Sequence, residues 1–255
     1  MSITSARVLE NEPLGAGYCR ILVEAPEVAA CARPGQFAML RAPGGTDPLL
    51  NRPFSFYDVD ESAGTVAFLC LALGAGSRLL ASTAPGEAIF LIGPLGNTFA
   101  AVEDRRPVFV AGGVGVAPFL HLGKEMGSGA LLYGARTRAM IVDVERFRRA
   151  GLDVRIATDD GTAGHHGLVT DLVERALEGG REGIALYGCG PNPMLRALCR
   201  IAVGAGVPCQ VSIDQRMACG FGTCMGCTVP TAGGYRKVCT DGPIFSAGDL
   251  AGVEW

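Results

Sequence analysis

The chain of 255 residues has few features that would direct it to a nucleic acid or a membrane. Its 22 Lys and Arg residues are dispersed and are outnumbered by 25 Asp and Glu residues, which gives a formal net charge of −3. Without a basic patch there is no electrostatic footprint for phosphate backbones or anionic lipids. Apolar runs such as VFVAGGVGVAPFL are short and contain glycine and proline, so none predicts a membrane span. We therefore expect small molecules or another protein as partners.

The sequence also lacks the usual signatures of hydrolases, phosphoryl-transfer enzymes and secreted proteins. It contains no H-E-x-x-H, G-x-S-x-G or Walker motif, and its three histidines, His121, His165 and His166, suggest no acid–base machinery. The opening residues MSITSARVLE lack the cationic start and apolar core of a secretory signal. We expect a cytoplasmic protein with reduced thiols, because disulfides are uncommon in that compartment.

Four of the ten cysteines are closely spaced near the C-terminus, in the pattern C-x4-C-x2-C-x11-C. The first three match the plant-type spacing for a [2Fe-2S] cluster. Glycines between them allow tight turns that bring peptide N–H groups towards the sulfur atoms. The predicted cluster ligands are Cys219, Cys224, Cys227 and Cys239.

Structural zinc is the alternative occupant of four thiolates. Zinc ligands usually come as two C-x2-C-like pairs, and here only Cys224 and Cys227 form such a pair. The spacing therefore favours the iron–sulfur cluster. The other six cysteines are scattered singly in apolar stretches and are interpreted as small core residues, except Cys189, which lies in YGCGPNPM at a strand-to-helix transition.

Three compositional zones predict the fold class, which is β followed by α/β. Residues 1–101 contain short β segments separated by Pro and Gly turns, which predict an antiparallel β-barrel. Residues 102–210 repeat an apolar strand, a loop and a helix, which predicts a parallel-sheet nucleotide-binding domain. Residues 211–255 are too few for a core of their own, so we expect the cluster to organise this segment.

A glycine-rich loop opens the second domain. Gly112, Gly113 and Gly115 follow the strand PVFVA and precede a predicted helix. At this position a glycine turn lets a dinucleotide pyrophosphate approach the helix N-terminus. The spacing G-G-x-G-x-x-P differs from the common G-x-G-x-x-G fingerprint, so the loop alone is weak support for a dinucleotide site.

The order of the domains, with the motifs RPFS, GAGS, GPLGN and AGGVGVAP, resembles the ferredoxin reductase family. Residues 52–55 resemble its flavin signature R-x-[YF]-[ST]. The resemblance implies that Arg52 pairs with the flavin pyrophosphate, Phe54 lies against the ring system and Ser55 hydrogen-bonds the flavin, which suits a forked guanidinium and a flat apolar ring. The residues that it implies for FAD are Arg52, Pro53, Phe54, Ser55, Leu69, Cys70, Leu71, Gly76 and Ser77.

The same resemblance bears on the nicotinamide cofactor. In the family's NADP enzymes the loop after the third strand of this domain often carries Ser and Arg, whereas ATDDGT places Asp159 and Asp160 there. Carboxylates repel a 2′-phosphate and accept hydrogen bonds from a ribose diol, so NAD is favoured. The motif YGCGPNPM implies that Cys189 lies beside the hydride-transfer position, and an inert buried thiol is the alternative.

Over almost the whole chain, with DQRMACGFGTCMGCTVP in particular, the sequence resembles the electron-transfer subunits of type B dihydroorotate dehydrogenases. The resemblance implies FAD, a [2Fe-2S] cluster and exchangeable NAD. It also implies an FMN-containing catalytic partner that oxidises dihydroorotate in pyrimidine biosynthesis, with two of each subunit. Phe54, Phe56 and Ser77 depart slightly from that family's pattern. The alternatives are a related ferredoxin–NAD(P) reductase or sulfide dehydrogenase subunit, and a metal-stabilised NAD-binding protein without turnover.

Overall fold

The computed structural model describes residues 1–44 and 47–255, which form a β-barrel, an α/β domain and a C-terminal segment. The strands of the barrel are β1 (Ser2–Gly15), β2 (Tyr18–Glu24), β3 (Phe37–Arg41), β4 (Arg52–Asp60), β5 (Thr65–Leu71) and β6 (Ala88–Leu95). Two short helices accompany them, α1 (Pro26–Ala29) and α2 (Ala75–Ala81).

The α/β domain and the C-terminal segment complete the chain. The strands of these two parts are β7 (Arg106–Gly112), β8 (Gly129–Ala135), β9 (Leu152–Thr158), β10 (His165–His166), β11 (Ile184–Cys189), β12 (Cys209–Ser212), β13 (Thr228–Thr231), β14 (Gly234–Lys237) and β15 (Ile244–Ser246). Their helices are α3 (Pro118–Met126), α4 (Val144–Arg149), α5 (Val169–Glu178), α6 (Asn192–Ala205) and α7 (Ala247–Leu250). Short 3₁₀ turns cover Gly113–Val116, Arg138–Met140 and Arg181–Gly183.

The barrel is closed and antiparallel, with the strand order β1-β2-β5-β4-β3-β6, which confirms the prediction. Side chains of period two fill its interior, such as Ile21 and Val23 on β2 and Phe68 on β5. The sequence analysis did not pick out β1, because only Ala6 and Val8 of its fourteen residues are buried, and polar side chains occupy most of the others.

The second domain has the predicted parallel sheet, ordered β10-β9-β8-β7-β11-β12, with β15 added at the edge. The β7–β8, β8–β9 and β7–β11 pairs are all parallel, so the carboxyl ends of these strands lie along one edge of the sheet. In open α/β sheets ligands bind at this edge. The loops that follow β7, β8, β9 and β11 are therefore neighbours.

The C-terminal segment shares its packing with both domains. Strand β15 pairs antiparallel with β12, and β12 itself runs across the boundary predicted at residues 210/211. Buried Val229 and Val238 belong to the same apolar cluster as Met39 and Leu95 of the barrel. Apolar packing thus organises this segment in addition to the contribution expected from a cluster.

None of the helices among the described residues combines the length and the apolar character that a bilayer crossing requires.

Candidate functional site

The four cysteines predicted as cluster ligands lie in two pairs. The backbone N–H of Cys224 donates to Sγ of Cys219 at 3.5 Å, and the two thiols hydrogen-bond each other. The N–H of Cys239 donates to Sγ of Cys227 at 3.4 Å, and these thiols also hydrogen-bond. Cys224 is exposed, whereas Cys227 and Cys239 are buried. One pair therefore faces the solvent and the other faces the core.

Two pairs of thiolates fit a [2Fe-2S] cluster, because each of its two irons takes two protein ligands. Within residues 1–44 and 47–255, no three His, Cys, Asp or Glu side chains converge as ligands of a single metal ion. A structural zinc site gathers four ligands tetrahedrally around one ion. The paired arrangement of the thiols fits a binuclear cluster.

Backbone N–H groups of the cysteine loop point at sulfur. Burial opposes ionisation of Cys219, but N–H groups of Phe221, Thr223 and Cys224, with the Cys224 thiol, lower its pKa to about 6. N–H groups aimed at a sulfur stabilise its negative charge, and around a bound cluster they tune the reduction potential. Residues 219–224 are therefore arranged to hold a thiolate.

Two glycines give the cysteine loop its path. Gly220 and Gly222 have φ values of +83° and +91°, in the region that favours glycine. A Cβ on Gly220 would lie 2.5 Å from Cγ of Met39, so the missing side chain lets the loop rest against β3. The N–H of Gly222 faces the sulfur of Cys239, whose pKa is raised by burial and then by the neighbouring Cys227 thiol.

The GPLGN loop at the end of the barrel holds the C-terminal segment. The side-chain Nδ2 of Asn97 donates to the carbonyls of Asp241 and Ile244, at 3.1 and 2.9 Å. Its Oδ1 accepts the N–H of Ile244 at 2.9 Å. The sequence analysis grouped this loop with the family motifs but gave Asn97 no contact, because its partners are more than 140 residues away and leave no local signal.

The two motifs predicted to hold flavin meet in space. Arg52 begins β4, and Gly76 lies in the first turn of α2. A Cβ on Gly76 would lie 2.6 Å from Nε of Arg52, so the guanidinium crosses the start of this helix while donating to the carbonyl of Leu50. A guanidinium beside helical N–H groups fits a diphosphate.

The other predicted flavin residues differ in exposure. Those with partly open surfaces are Pro53, Phe54, Ser55 and Leu71. Leu69 and Cys70 are buried, and Sγ of Cys70 donates to the carbonyl of Ser77 at 3.5 Å. The Ser77 hydroxyl in turn accepts the N–H groups of residues 73 and 74, both at 3.0 Å. Cys70 and Ser77 thus shape the loop before α2, and the half-buried residues offer surface to a ring.

The loop after β7 packs against the loop after β11. A Cβ on Gly112 would lie 2.7 Å from Sδ of Met194, and one on Gly115 would collide with the carbonyl oxygen of Cys189. Gly113 has a φ of +55° and faces the hydroxyl of Tyr18. That hydroxyl is buried without a hydrogen-bond partner among the described residues, so a polar atom of a bound dinucleotide or flavin would satisfy it.

Cys189 ends β11 opposite Ser212 of β12. Burial, and secondarily the Asp214 carboxylate, raise the pKa of Cys189 to about 12, while a hydrogen bond from Ser212 acts in the opposite sense. The thiol is therefore protonated at neutral pH. It suits a neutral contact with a nicotinamide ring, and it is a poor nucleophile.

Asp159 and Asp160 follow β9 and lie beside the end of β8. Their N–H groups donate to the carbonyls of Ala135 and Arg136, at 3.1 and 3.2 Å. The hydroxyl and N–H of Thr162 hydrogen-bond Asp160 and lower its pKa. The carboxylate of Asp160 is therefore committed to its own loop, and the exposed Asp159 is the better candidate for a ribose.

A buried polar contact joins the two domains, and the sequence analysis missed it. Oδ2 of Asp143, just before α4, accepts the hydroxyl of Tyr57 at 2.7 Å and Nη1 of Arg20 at 2.6 Å. Tyr57 and Arg20 belong to the barrel, 86 and 123 residues away in sequence. No motif marks these three residues.

Comparison with known proteins agrees with this geometry. Residues 214–251 match the family described as the iron–sulfur cluster binding domain of dihydroorotate dehydrogenase B. The chain is 39% identical, over 86% of both sequences, to the dihydroorotate dehydrogenase B (NAD(+)) electron transfer subunit of Geobacillus kaustophilus. It is 36% identical to the corresponding subunit of Caldanaerobacter subterraneus, over 96% of this chain and 97% of the relative. The chain belongs to this family of electron transfer subunits.

A solved structure extends the comparison of these electron transfer subunits to three dimensions. The NADH-dependent reduced ferredoxin–NADP oxidoreductase, described in a study of flavin-based electron bifurcation, superposes with a TM-score of 0.85 and 26% identity. The superposition covers 97% of this chain and 90% of that one. The predicted fold, family and oxidoreductase electron-transfer function are thereby confirmed, and FAD, a [2Fe-2S] cluster and NAD are supported as cofactors.

Proposed function

We propose that this chain passes electrons from a catalytic subunit that oxidises dihydroorotate, through a [2Fe-2S] cluster and FAD, to NAD⁺ in pyrimidine biosynthesis. The observation that carries the proposal is the cysteine loop, whose paired thiols and N–H groups pack directly on the barrel that bears the flavin motifs. When bound, FAD exchanges a hydride with the nicotinamide and single electrons with the cluster.

We assign this chain's residues to three sites. Arg52 and the start of α2 hold the flavin diphosphate, with Phe54 and Leu71 against the ring system. Gly112–Gly115 admit the NAD diphosphate, Cys189 lies at the nicotinamide and Asp159 accepts the ribose hydroxyls. The four cysteines bind the cluster. The corresponding domain division is 1–101, 102–210 and 211–255.

The partner in this proposal is an FMN-containing dihydroorotate dehydrogenase subunit, in a cytoplasmic complex with two of each chain. We place it over the exposed side of the cysteine loop. Phe221 and Met225, on either side of the exposed Cys224, are 44% and 57% exposed. Exposed apolar side chains beside a redox centre favour a protein partner that covers them.

An anaerobic NADH titration of the purified holoprotein tests electron transfer between NAD, FAD and the cluster. We expect bleaching of the flavin absorbance together with a [2Fe-2S] signal in low-temperature electron paramagnetic resonance. Dihydroorotate should then reduce both centres only after the catalytic subunit is added. A colourless protein that contains zinc would contradict the proposal and favour a binding protein without turnover.

Replacing Arg52 with alanine tests the flavin site. Loss of charge-assisted hydrogen bonds to a diphosphate costs about 2 kcal/mol, which corresponds to roughly 30-fold weaker FAD binding. The measurement is FAD affinity of the deflavinated protein by fluorescence titration. The exposed Arg7→Ala, on the barrel strand β1, is the matched control. Unchanged affinity in Arg52→Ala would remove RPFS from the flavin site.

A second function, oxidoreduction of a ferredoxin-like protein, is favoured by the structural likeness to the reduced ferredoxin–NADP oxidoreductase. Cys219 argues against this function, since one cluster ligand in such subunits is often aspartate. The Asp159–Asp160 pair also argues against it, because carboxylates repel the 2′-phosphate of NADP. Adding reduced ferredoxin and NADP⁺ in place of dihydroorotate and NAD⁺ distinguishes the two.

A further inference from the structure

We propose that Arg20, Tyr57 and Asp143 form an interdomain latch that positions the nicotinamide site against the flavin site. The inference rests on the proposed function, because it concerns the alignment of hydride transfer between NAD and FAD. It assigns a positioning role to residues that lie outside every motif of the chain. The name "latch" refers below to these three side chains.

The latch centres on one carboxylate oxygen. Oδ2 of Asp143 accepts the Tyr57 hydroxyl at 2.7 Å and Nη1 of Arg20 at 2.6 Å. Nε of Arg146 lies 3.6 Å from the same oxygen, and Arg20 also donates to Glu12. A single atom of the α/β domain is thereby bound by two strands of the barrel, β2 and β4.

Burial makes these contacts strong and directional. The side chains of Arg20 and Asp143 are only 9% and 13% exposed, and Tyr57 is fully buried. In such surroundings charge-assisted hydrogen bonds are short, and leaving one partner unpaired is costly. Burial, and then the Asp143 carboxylate, raise the pKa of Tyr57, so its hydroxyl remains a hydrogen-bond donor.

Aromatic packing also holds the contact between β4 and the start of α4. The ring of Tyr57 meets the ring of Phe147 in α4, edge to face, with 6.0 Å between centroids. Asp143 itself has a φ of +58°, a backbone conformation that few residues besides glycine, asparagine and aspartate adopt readily. The turn into α4 is thus held in one shape by its contacts with β4.

The position of the latch links it to both cofactor sites. Tyr57 is on β4, two residues after the RPFS motif at 52–55. Asp143 ends the loop that leaves β8 at the ligand-binding edge of the parallel sheet. A shift between Tyr57 and Asp143 would therefore change the distance between the flavin motif and the dinucleotide edge.

Hydride transfer is sensitive to such a shift. Reacting atoms must approach to about 3–3.5 Å, and a displacement of about 1 Å can lower the rate roughly 100-fold. Two buried hydrogen bonds and a ring contact hold the domains with less freedom than an exposed ion pair would allow. The latch thus serves alignment as well as stability.

A more exposed ion pair between the same domains provides the contrast. Nζ of Lys124 in α3 lies 2.6 and 2.7 Å from the two carboxylate oxygens of Asp58 in β4. The Lys124 side chain is 48% exposed and the Asp58 side chain is 19% exposed, against 9% and 13% for Arg20 and Asp143. An ion pair whose lysine is half exposed contributes little to stability, because solvent screens the charge and the long side chain loses entropy when it is held. Asp58→Asn is therefore the matched control for Asp143→Asn.

Two variants break the latch and keep the shape of its side chains. Asp143→Asn keeps the size and the tolerance of positive φ but removes the charge. Tyr57→Phe keeps the ring on Phe147 and removes the hydroxyl. We expect both holoproteins to retain FAD and to bind NADH within about threefold of the wild type. The rate of flavin reduction at saturating NADH should fall about tenfold or more.

Two readouts separate alignment from simple stability. The long-wavelength absorbance band of nicotinamide stacked on flavin should weaken in both latch variants and persist in Asp58→Asn. In the cofactor-free protein, hydrogen exchange of β4 and of residues 136–149 should accelerate in the latch variants. This second readout needs no activity.

Two outcomes would overturn the latch. One is an unchanged saturating rate and absorbance band in both variants, even if the melting temperature falls, because the residues would then be structural only. The other is unchanged hydrogen exchange at β4 and α4. If wild-type flavin were not reduced by NADH, the proposed function would fail instead, and hydrogen exchange would still decide whether these residues hold the domains together.

Discussion

In the cysteine loop, the sulfur of Cys219 accepts backbone N–H groups from residues a few positions away, whereas at the domain interface a carboxylate is held by side chains from distant strands. The N–H groups that lower the pKa of Cys219 come from residues 221–224. The donors to Asp143 come from residues 20 and 57. The loop is organised by local chain geometry, so spacing alone identifies it. The interface is organised by the fold and depends on the correct packing of two domains.

The cysteine loop and the domain interface also differ in solvent exposure, and this difference suits them to different roles. Cys224 and the neighbouring Phe221 reach the surface, where the proposed function needs electrons to enter from the partner subunit. The Asp143 carboxylate and the Tyr57 hydroxyl are withdrawn from water, as a fixed alignment requires. A change in the loop should therefore act on the cluster, and a change at the interface should act on stability and alignment.

The largest expected effect is the loss of the cluster when a cysteine of the loop is replaced. Cys227→Ser should abolish the cluster signal and reduce iron and sulfide to background, because a buried hydroxyl is a far poorer ligand for iron than the thiolate that it replaces. Flavin reduction by NADH should continue. Metal analysis, electron paramagnetic resonance and NADH bleaching measure the three properties.

The exposed cysteine Cys31, which follows α1 in the barrel domain, provides the control for Cys227. Cys31→Ser should retain iron, sulfide and the cluster signal. Loss of FAD together with the cluster in Cys227→Ser would contradict the separation of the two sites.

The next effect concerns pH at the interface. His121 in α3 has its pKa lowered to about 4, mainly by burial, with Asp58 opposing this shift and Lys124 and Arg33 reinforcing it. Between pH 6.5 and 4, His121 is protonated in the unfolded state but not in the folded state. The free energy of unfolding therefore falls as the pH decreases, by up to about 3 kcal/mol. Above pH 6.5 the contribution vanishes. His121→Phe should flatten this slope in urea unfolding at pH 4 to 7.

The control for His121 is the exposed histidine of β10. His166→Phe should leave the slope of stability against pH as it is in the wild type. If His121→Phe retained the full slope as well, the interface histidine would have no part in acid sensitivity.

A smaller loss of stability is expected when the contact between the cysteine loop and the barrel is disturbed at Gly220. Gly220→Ala places a Cβ 2.5 Å from Cγ of Met39 at a φ of +83°. Strain and overpacking together should cost about 2 kcal/mol, moderated by the flexible methionine. Thermal unfolding of the holoprotein measures the loss, and the cluster signal should shift with it.

Gly234→Ala is the matched control for Gly220, since its φ is +101° and nothing lies within 4 Å of the added Cβ. The Gly234→Ala variant therefore measures the cost of backbone strain without any cost of overpacking. Equal losses in the two variants would show that contact with Met39 contributes nothing.

The smallest effect is expected at the exposed interdomain pair. Lys124→Met removes the contact with Asp58, which should lower the free energy of unfolding by less than about 1 kcal/mol. The difference should shrink further in 0.5 M salt, an ionic strength at which the Debye length falls to roughly 4 Å. A loss above 2 kcal/mol would erase the distinction between this pair and the buried latch.

Much of the fold and of the candidate site is predictable from local patterns. The apolar strands of the barrel and the strand–loop–helix units were recognised by periodicity, and RPFS and GAGS were matched to motifs that the structure brings together at Arg52 and Gly76. Strand β15 was not predicted, because three residues carry no periodic signal and their pairing with β12 depends on the whole sheet. Asn97 was assigned no contact for a similar reason, since its amide binds a segment far along the chain.

The sequence by itself determined the chemistry of this protein: the cysteine spacing, the glycine turns and the arginine of the flavin motif act through backbone geometry over a few residues, and such geometry can be read locally. The tertiary structure alone decided how these pieces face one another. It paired Cys227 with Cys239, packed the loop against Met39, and buried Asp143 between Arg20 and Tyr57. These contacts join residues far apart in the chain, and their strength comes from exclusion of water, which exists only once the domains have packed.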